Sequence, residues 1–362
     1  MLGRVFYLLY SIMVRNLFII VAILLLVGAG VVAWFFWGPA TGFSENKKAL
    51  YIATDGANKQ AITDSLVRNG LVKYPKAFDF LAQRLKYWNN IKPGKYEIEK
   101  GTSLFTILRR LRNGQQTPVN LVINKLRTPQ DLAKLVSRRL ETDSAEMMAY
   151  LQSDSFRTKR SITADQALAY VLPDTYTYFW NSDPDKIFQK LADANRQFWT
   201  EERKQKAARL SLTPLQVAII ASIVDEESNK LDEKDTIASV YINRLRTGMP
   251  LQADPTVRFA LQDFTIKRVY EKHLQVASPY NTYRNAGLPP GPICTPQKAT
   301  LDAVLDAPQT AYVYFVASPE FDGTHDFSAT YAEHMKKAKL YQAALTVWMQ
   351  KQKDKQAQAN AQ

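Results

Sequence analysis

The sequence predicts an α+β protein: an N-terminal transmembrane helix, a small α+β module and a larger mixed α+β domain. Three observations lead there. Residues 17–37 are an unbroken apolar run, the stretch behind them alternates short strand-like and helix-like segments, and the remainder is dominated by helical patterns separated by Pro- and Gly-rich loops. With 362 residues, 46% apolar and 22% charged, the chain has the composition of about two folded units.

The run LFIIVAILLLVGAGVVAWFFW holds 21 residues without a charge and spans about 31 Å as a helix, the thickness of a bilayer's hydrocarbon. It is longer than the apolar core of a cleaved signal peptide and ends in Trp34, Phe35, Phe36 and Trp37, which suit a membrane interface. Arg4 and Arg15, with no acid before the span, predict residues 1–16 to be a cytoplasmic tail and the functional mass to lie outside the cytoplasm. Residues 38–48 read as a polar tether, 49–127 as the small module, 128–350 as the larger domain and the Gln-, Ala- and Lys-rich 351–362 as a disordered tail.

In the small module, residues 51–56 read as strand and turn, 60–69 and 77–88 as helices, and 92–114 as turn, strand, turn and helix. Thr102 or Ser103 caps that last helix, whose apolar stripe is Leu104, Ile107, Leu108 and Leu111. A strand at 119–124 precedes a helix beginning near Thr128 and Pro129. Helices are expected at 144–151, 164–170 and 185–209. The loop LPDTYTYFW, 172–180, has four aromatics in nine residues, able either to stack on sugar or to plug the core. Thr213 and Pro214 open a helix that is apolar almost all round, 215–224. An amphipathic helix with Asn243 follows at 235–246, and a strand at 311–317 leads to GTHDF with His325 at its exit.

Several function classes are excluded. Cys294 is the only cysteine, so there is no internal disulfide and no four-cysteine zinc module. His273, His325 and His334 lack HExxH spacing, and the glycines form neither GxGxxG nor a P-loop. No cofactor and no metal are expected. The net charge of +13 favours anionic surroundings. The basic residues are spread, as in Arg109, Arg110 and Arg112 or Arg138 and Arg139, without any nucleic-acid-binding signature, so no nucleic acid is expected as partner.

The chemistry concentrates where the apolar helix ends in DEES. Asp225, Glu226 and Glu227 sit at the negative end of a helix dipole, near apolar side chains and one another, and each effect favours the protonated form. A carboxyl kept protonated near neutral pH can act as a general acid. Glu227 lies over Ile220, Ile223 and Val224 on helical spacing, which does not exclude Asp225 or Glu226; all three could equally be solvated and pair with Lys230 or Lys234. The loops 248–257 and 278–296 supply Gln252, Asp254, Thr256, Tyr280, Asn281, Thr282 and Tyr283, a set able to hydrogen-bond and stack on a carbohydrate. His325 joins them as a candidate substrate-binding residue; Asp254 also fits an Asx turn before Pro255, and His325 a structural imidazole.

The segments ASIVDEES, INRLRTGMPLQADPTV, YNTYRNAGLPPGPI and YFVASPEFDGTHDF, in this order behind one membrane helix, resemble the endolytic murein transglycosylase family, MltG, also called YceG-like. The resemblance is dense from 221 to 327. It places the family's catalytic glutamate on Glu227 and an earlier family acid on Asp225, where the family has Glu; Ser228 stands where it has Thr. It also implies that the module around 92–114 is LysM-like and binds peptidoglycan.

The resemblance implies cleavage of the β-1,4 bond between N-acetylmuramic acid and N-acetylglucosamine without water, leaving 1,6-anhydro ends. Glu227 would protonate the glycosidic oxygen and then take the proton of the muramic 6-hydroxyl. It further implies termination of nascent glycan strands at the outer face of the cytoplasmic membrane, with penicillin-binding synthases as partners. Two other readings stay open. With Asp254 as second carboxyl the protein would be a hydrolytic muramidase, and without a working Glu227 it would be a membrane-tethered peptidoglycan-binding scaffold.

Overall fold

The apolar N-terminal run forms one continuous helix, α1 (Leu2–Trp37), in the computed structural model, which describes residues 2–360. The side chains of residues 1–9, 11, 355 and 357–362 lie outside the described residues, that of Arg4 among them. Within α1 the stretch Ile12–Trp37 is long and apolar enough to cross a membrane and leaves its side chains exposed, as a lipid-facing anchor would. The rest is mixed α+β, in two compact units: residues up to 119 with 177–182, and residues 120–176 with those from 183 onward.

In the first unit β1 (Lys47–Ile52) pairs antiparallel with β2 (Gly94–Glu99), Leu50 opposite Tyr96, and α2 (Lys59–Arg68) and α3 (Pro75–Arg84) lie between them in sequence. The strand starts earlier than its apolar letters suggested, because an exposed edge tolerates Lys47, which pairs with Glu97 at 2.9 Å. The second helix ends at Arg84, where Lys86 takes a left-handed conformation (φ 54°) before a 3-10 turn at Tyr87–Asn89. Helix α4 (Leu104–Asn113) is capped by Ser103, whose Oγ accepts from Thr106 N, and ends at Gly114 with φ 66°. Its expected stripe of Leu104, Ile107, Leu108 and Leu111 is buried against Leu50, Ile98, Phe78 and Tyr96.

The expected tether is part of this core. Ala40 and Phe43 are buried, Ala40 N donates to Thr102 O, Lys73 N to Ala40 O, and Gly42 N to Gly70 O. Backbone pairing and two small apolar anchors hold the segment where its polar composition alone suggested a free linker.

The second unit takes in residues 120–127, shifting the expected boundary at 127 back to 119. The cause is a reciprocal bond pair, Thr295 N to Leu126 O at 2.8 Å and Leu126 N to Thr295 Oγ1 at 3.0 Å. β3 (Val119–Ile123) pairs with β4 (Asp174–Tyr178). Tyr176 and Tyr178 of the aromatic loop are buried, and Phe179 is exposed. Between these strands lie α5 (Pro129–Ser137), with a Thr128–Asp131 capping box, α6 (Ser144–Gln152), α7 (Asp154–Arg160) and a 3-10 segment at Ala164–Tyr170. The helix expected over 185–209 is two, α8 (Pro184–Phe198) and α9 (Glu201–Arg209), broken where Trp199 is buried and Thr200 caps the second.

Helix α10 (Pro214–Glu227) is the centre of this unit. A Thr213–Gln216 capping box starts it, and every residue from Val217 to Asp225 is buried. It packs against α11 (Leu231–Arg246), α12 (Asp254–Leu261) and α14 (Lys298–Leu305), with the short α13 (Glu271–Leu274) next to α12. The hairpin of β5 (Tyr314–Ala317) and β6 (His325–Ser328) sets Ala317 opposite His325. The final helix α15 (Tyr331–Asn360) continues through 351–360, where composition suggested a disordered tail; residues 361–362 lie outside the described residues.

Candidate active site

Successive residues on a helix point about 100° apart, so the three acids ending α10 face three surroundings. Asp225 turns inward. Its Oδ1 meets Lys234 Nζ at 2.5 Å and Thr300 Oγ1 at 2.5 Å, and its Oδ2 accepts from Gln297 N at 2.7 Å. Both side chains of the ion pair are almost wholly buried, so this acid ties α10 to α11 and to the start of α14. Glu226 turns to Lys125 at 2.6 Å and Arg127 at 3.3 Å. Two of the three acids are thus neutralised by cations.

Among the described residues Glu227 has no ion pair, and its side chain makes one hydrogen bond, from the Tyr241 hydroxyl to Oε1 at 2.7 Å. Burial pushes its carboxyl up to about 7; the Tyr241 bond and the Arg258 charge pull the other way, and the charge of Asp254 pushes with burial. Burial and the neighbouring Glu227 raise the Tyr241 hydroxyl well above its ordinary range, so it stays a donor. Glu227 opens on a cavity of about 260 Å³ whose lining includes Tyr241, Gln252, Asp254, Tyr283 and His325. A second cavity of about 620 Å³ shares Glu227, Ala317 and His325 and continues past Ser228, Lys230 and Thr324.

Arg244 holds the floor of the first cavity. Its buried guanidinium donates to Val313 O and Leu251 O at 2.7 Å each and to Gln252 Oε1 at 3.4 Å. Gln252, in a left-handed conformation (φ 51°), turns the chain into α12. Asp254 heads that helix and accepts from the Tyr283 hydroxyl at 2.6 Å. His325 is fixed by Glu233, which meets Nδ1 at 3.0 Å through Oε1 and accepts the His325 backbone N–H at 2.9 Å through Oε2. The Ser228 hydroxyl donates to the same Glu233 at 2.5 Å. A carboxylate acceptor favours the ring hydrogen on Nδ1 and, among the described residues, leaves Nε2 as the nitrogen without a protein partner.

Of the residues expected to bind carbohydrate, Gln252, Asp254, Tyr283 and His325 line the cavity with Glu227. Four others do not. Thr256 and Thr282 are buried with their hydroxyls bonded to each other, Thr256 also donating to Ala253 O and Thr282 Oγ1 also accepting from Ala253 N. Asn281 is fully buried and staples its own loop through Leu274 O and Val276 O. Tyr280 packs on Phe259 with ring centres 4.6 Å apart and lines a separate cavity beside Thr128 and Gln130. Sequence reasoning passed over Tyr241, Arg244 and Glu233. The signal was there: all three polar groups lie on α11 among buried residues, Tyr241 and Arg244 three residues apart on one face. Asn243, noted in the sequence, donates to Thr310 O and Tyr312 O and braces the approach to β5. Among the described residues no cluster of three His, Cys, Asp or Glu side chains could hold a metal.

The sequence profile of the YceG-like family matches residues 51–340. The endolytic murein transglycosylase of Bacillus subtilis (strain 168) is 28% identical over 304 residues, covering 79% of this chain and 82% of the relative. That of Streptococcus pneumoniae (strain R6) is 27% identical over 297 residues, covering 73% of this chain and 53% of the relative, so the chain spans about half of the streptococcal protein. The crystal structure of a YceG-like protein from Listeria monocytogenes superposes with a TM-score of 0.53 at 26% identity, covering 81% of this chain and 99% of that one. A profile match across most of the chain, with a fold shared along its length, makes this chain a member of the YceG-like family.

Proposed function

We propose that this protein is a membrane-anchored endolytic peptidoglycan lytic transglycosylase. It cleaves the β-1,4 bond between N-acetylmuramic acid and N-acetylglucosamine of nascent glycan strands, leaves 1,6-anhydromuramoyl ends and so terminates elongation. The relatives named endolytic murein transglycosylases support the substrate class. The observation that carries the mechanism is Glu227, an acid with no ion pair among the described residues, its pKa raised to near neutral by burial at the junction of two cavities.

One carboxyl acts twice. Protonated Glu227 gives its hydrogen to the glycosidic oxygen as the bond to the anomeric carbon breaks. The resulting carboxylate then takes the proton of the muramic 6-hydroxyl as that oxygen closes on the same carbon, and Glu227 is regenerated. Tyr241 stabilises the intermediate carboxylate and aims it. Asp254 favours a developing positive charge at the sugar ring electrostatically; its bond from Tyr283 fixes its position. Gln252, Tyr283 and His325 offer hydrogen bonds to sugar hydroxyl and acetamido groups.

The first unit is read as the LysM-like glycan-binding module, and the positive charge before the apolar helix as placing both units on the extracytoplasmic side of the cytoplasmic membrane. The site then faces the compartment where penicillin-binding synthases extend glycan strands, and these are its expected partners. Mass spectrometry of purified glycan strands treated with the protein tests the reading. Anhydro ends with the native protein and none with Glu227→Gln support it. Reducing ends would indicate a hydrolytic muramidase using Asp254, and equal cleavage by the variant would remove Glu227 from the mechanism.

A further inference from the structure

The junction between the apolar helix and the first unit is short and fixed. Only Gly38 and Pro39 separate Trp37 from the buried Ala40. The last aromatics of α1 also pack on the unit itself: Phe35 on Tyr74 with ring centres 4.9 Å apart, Phe36 on Phe80 at 6.5 Å and Trp37 on Phe105 at 5.7 Å. Phe80 and Phe105 each begin or centre a basic stripe. On α3, Lys76, Phe80 and Arg84 repeat every four residues on the side opposite the buried Phe78 and Ala82, with the Arg84 guanidinium 5.4 Å from the Phe80 ring centre. On α4, Phe105, Arg109 and Arg112 run along the side away from the buried Leu104, Ile107, Leu108 and Leu111. All four cations are exposed, and among the described residues none has an acidic partner. Phe80 itself is 52% exposed.

We infer that this two-helix face is a lipid-contacting surface that seats the first unit on anionic phospholipid headgroups. The inference rests on α1 being a membrane anchor. A helix that ends in interfacial aromatics brings whatever packs on those aromatics into the headgroup layer. There the exposed Phe80 finds an apolar boundary, and unpaired Lys and Arg side chains find phosphate; each cation near an anionic leaflet strengthens the contact about fivefold. No flexible segment lets the unit swing away, so the face sets a constant height for the module above the bilayer.

The test uses the full chain in lipid nanodiscs, spin-labelled at Asn113→Cys beside the stripe or at Gln60→Cys on α2; native Cys294 is buried and does not compete. Access to a water-soluble nickel relaxant is measured in discs of phosphatidylcholine alone and of phosphatidylcholine with phosphatidylglycerol. The expected result is severalfold shielding at 113 relative to 60, present with phosphatidylglycerol and lost in the K76E/R84E/R109E/R112E chain. Unchanged circular dichroism certifies that this variant is folded, and R109Q/R112Q gives a milder second case with partial loss. A label at 113 as open to water as that at 60, or shielding indifferent to lipid charge and to the substitutions, overturns the inference. A chain that does not co-elute with discs overturns the anchor and this surface with it, whereas co-elution with an open label overturns the surface alone.

Discussion

The Tyr241 hydroxyl donates to Glu227 Oε1 at 2.7 Å, and among the described residues this is the one hydrogen bond that the carboxyl makes. A donor to a carboxylate stabilises the charged form, so Tyr241 opposes the burial that raises Glu227 to about 7. If protonated Glu227 is the acid, cleavage falls as pH rises through about 7. Tyr241→Phe moves that alkaline limb to higher pH, and the loss of aim lowers the neutral-pH rate by about tenfold. A kcat/KM profile on purified glycan strands reads both effects, and an unmoved limb would detach Tyr241 from the ionisation.

The same raised carboxyl costs stability. Its pKa in the unfolded chain is the ordinary 4.5 and in the folded chain about 7, so between these values the folded state holds a proton that the unfolded state has released. Stability is therefore lost as pH rises through that window, by up to about 3 kcal/mol for two and a half units. Glu227→Gln removes the charge. The variant should melt several degrees above the native protein at pH 8 and close to it at pH 5; a gain of equal size at both would trace to packing instead.

Asp225 and Lys234 make a different kind of site. The pair is buried at 2.5 Å with Thr300 and Gln297 N completing the carboxylate. Lys234→Met strands a charge in the core and should cost about 3–5 kcal/mol in urea unfolding. Asp225→Asn with Lys234→Met removes both charges and should recover most of that loss. A single variant as stable as the native chain would mean that the carboxylate is satisfied without the lysine.

How far the molecule was legible depends on what each residue answers to. Thr213 caps where the sequence placed it, Ser103 is the one of two candidates that caps, and Thr128 caps the helix expected to begin near it, because a cap is a contract between residues three apart. The apolar span and the buried α10 follow from composition in the same way. The three acids of DEES were visible as a cluster, but their division of labour was not. The partners of Glu226 lie about a hundred residues upstream, at Lys125 and Arg127, and nothing near DEES reveals that they neutralise it. The tether hides its fixed state for a related reason: Ala40 and Phe43 are too few to form a pattern, yet Ala40 is bonded to Lys73 and Thr102 and Phe43 is buried in the same core. In the carbohydrate set, residue type was read well and direction poorly. Tyr283 and Thr282 are neighbours, and only the loop's own hydrogen bonds decide that one faces the cavity and the other Thr256.

Asn281 puts that distinction to the test. Its side chain donates to Leu274 O at 2.8 Å and Val276 O at 2.9 Å, and its Oδ1 accepts from Tyr283 N at 3.1 Å. No surface remains for a sugar. Asn281→Ala leaves two carbonyls and one amide without partners, at a cost of about 1–3 kcal/mol for each group that stays buried. The loop carrying Tyr283 then loosens, and with it the bond that fixes Asp254. The expected outcome is a lower melting temperature together with a fall in kcat, with glycan affinity changing little. Asn281→Asp keeps the acceptor for Tyr283 N but sets a carboxylate oxygen against the Leu274 and Val276 carbonyls in a buried site, and should melt at least as low as Asn281→Ala. A variant that melts like the native protein and binds glycan weakly would return Asn281 to the binding surface and contradict the inward orientation that its three hydrogen bonds describe.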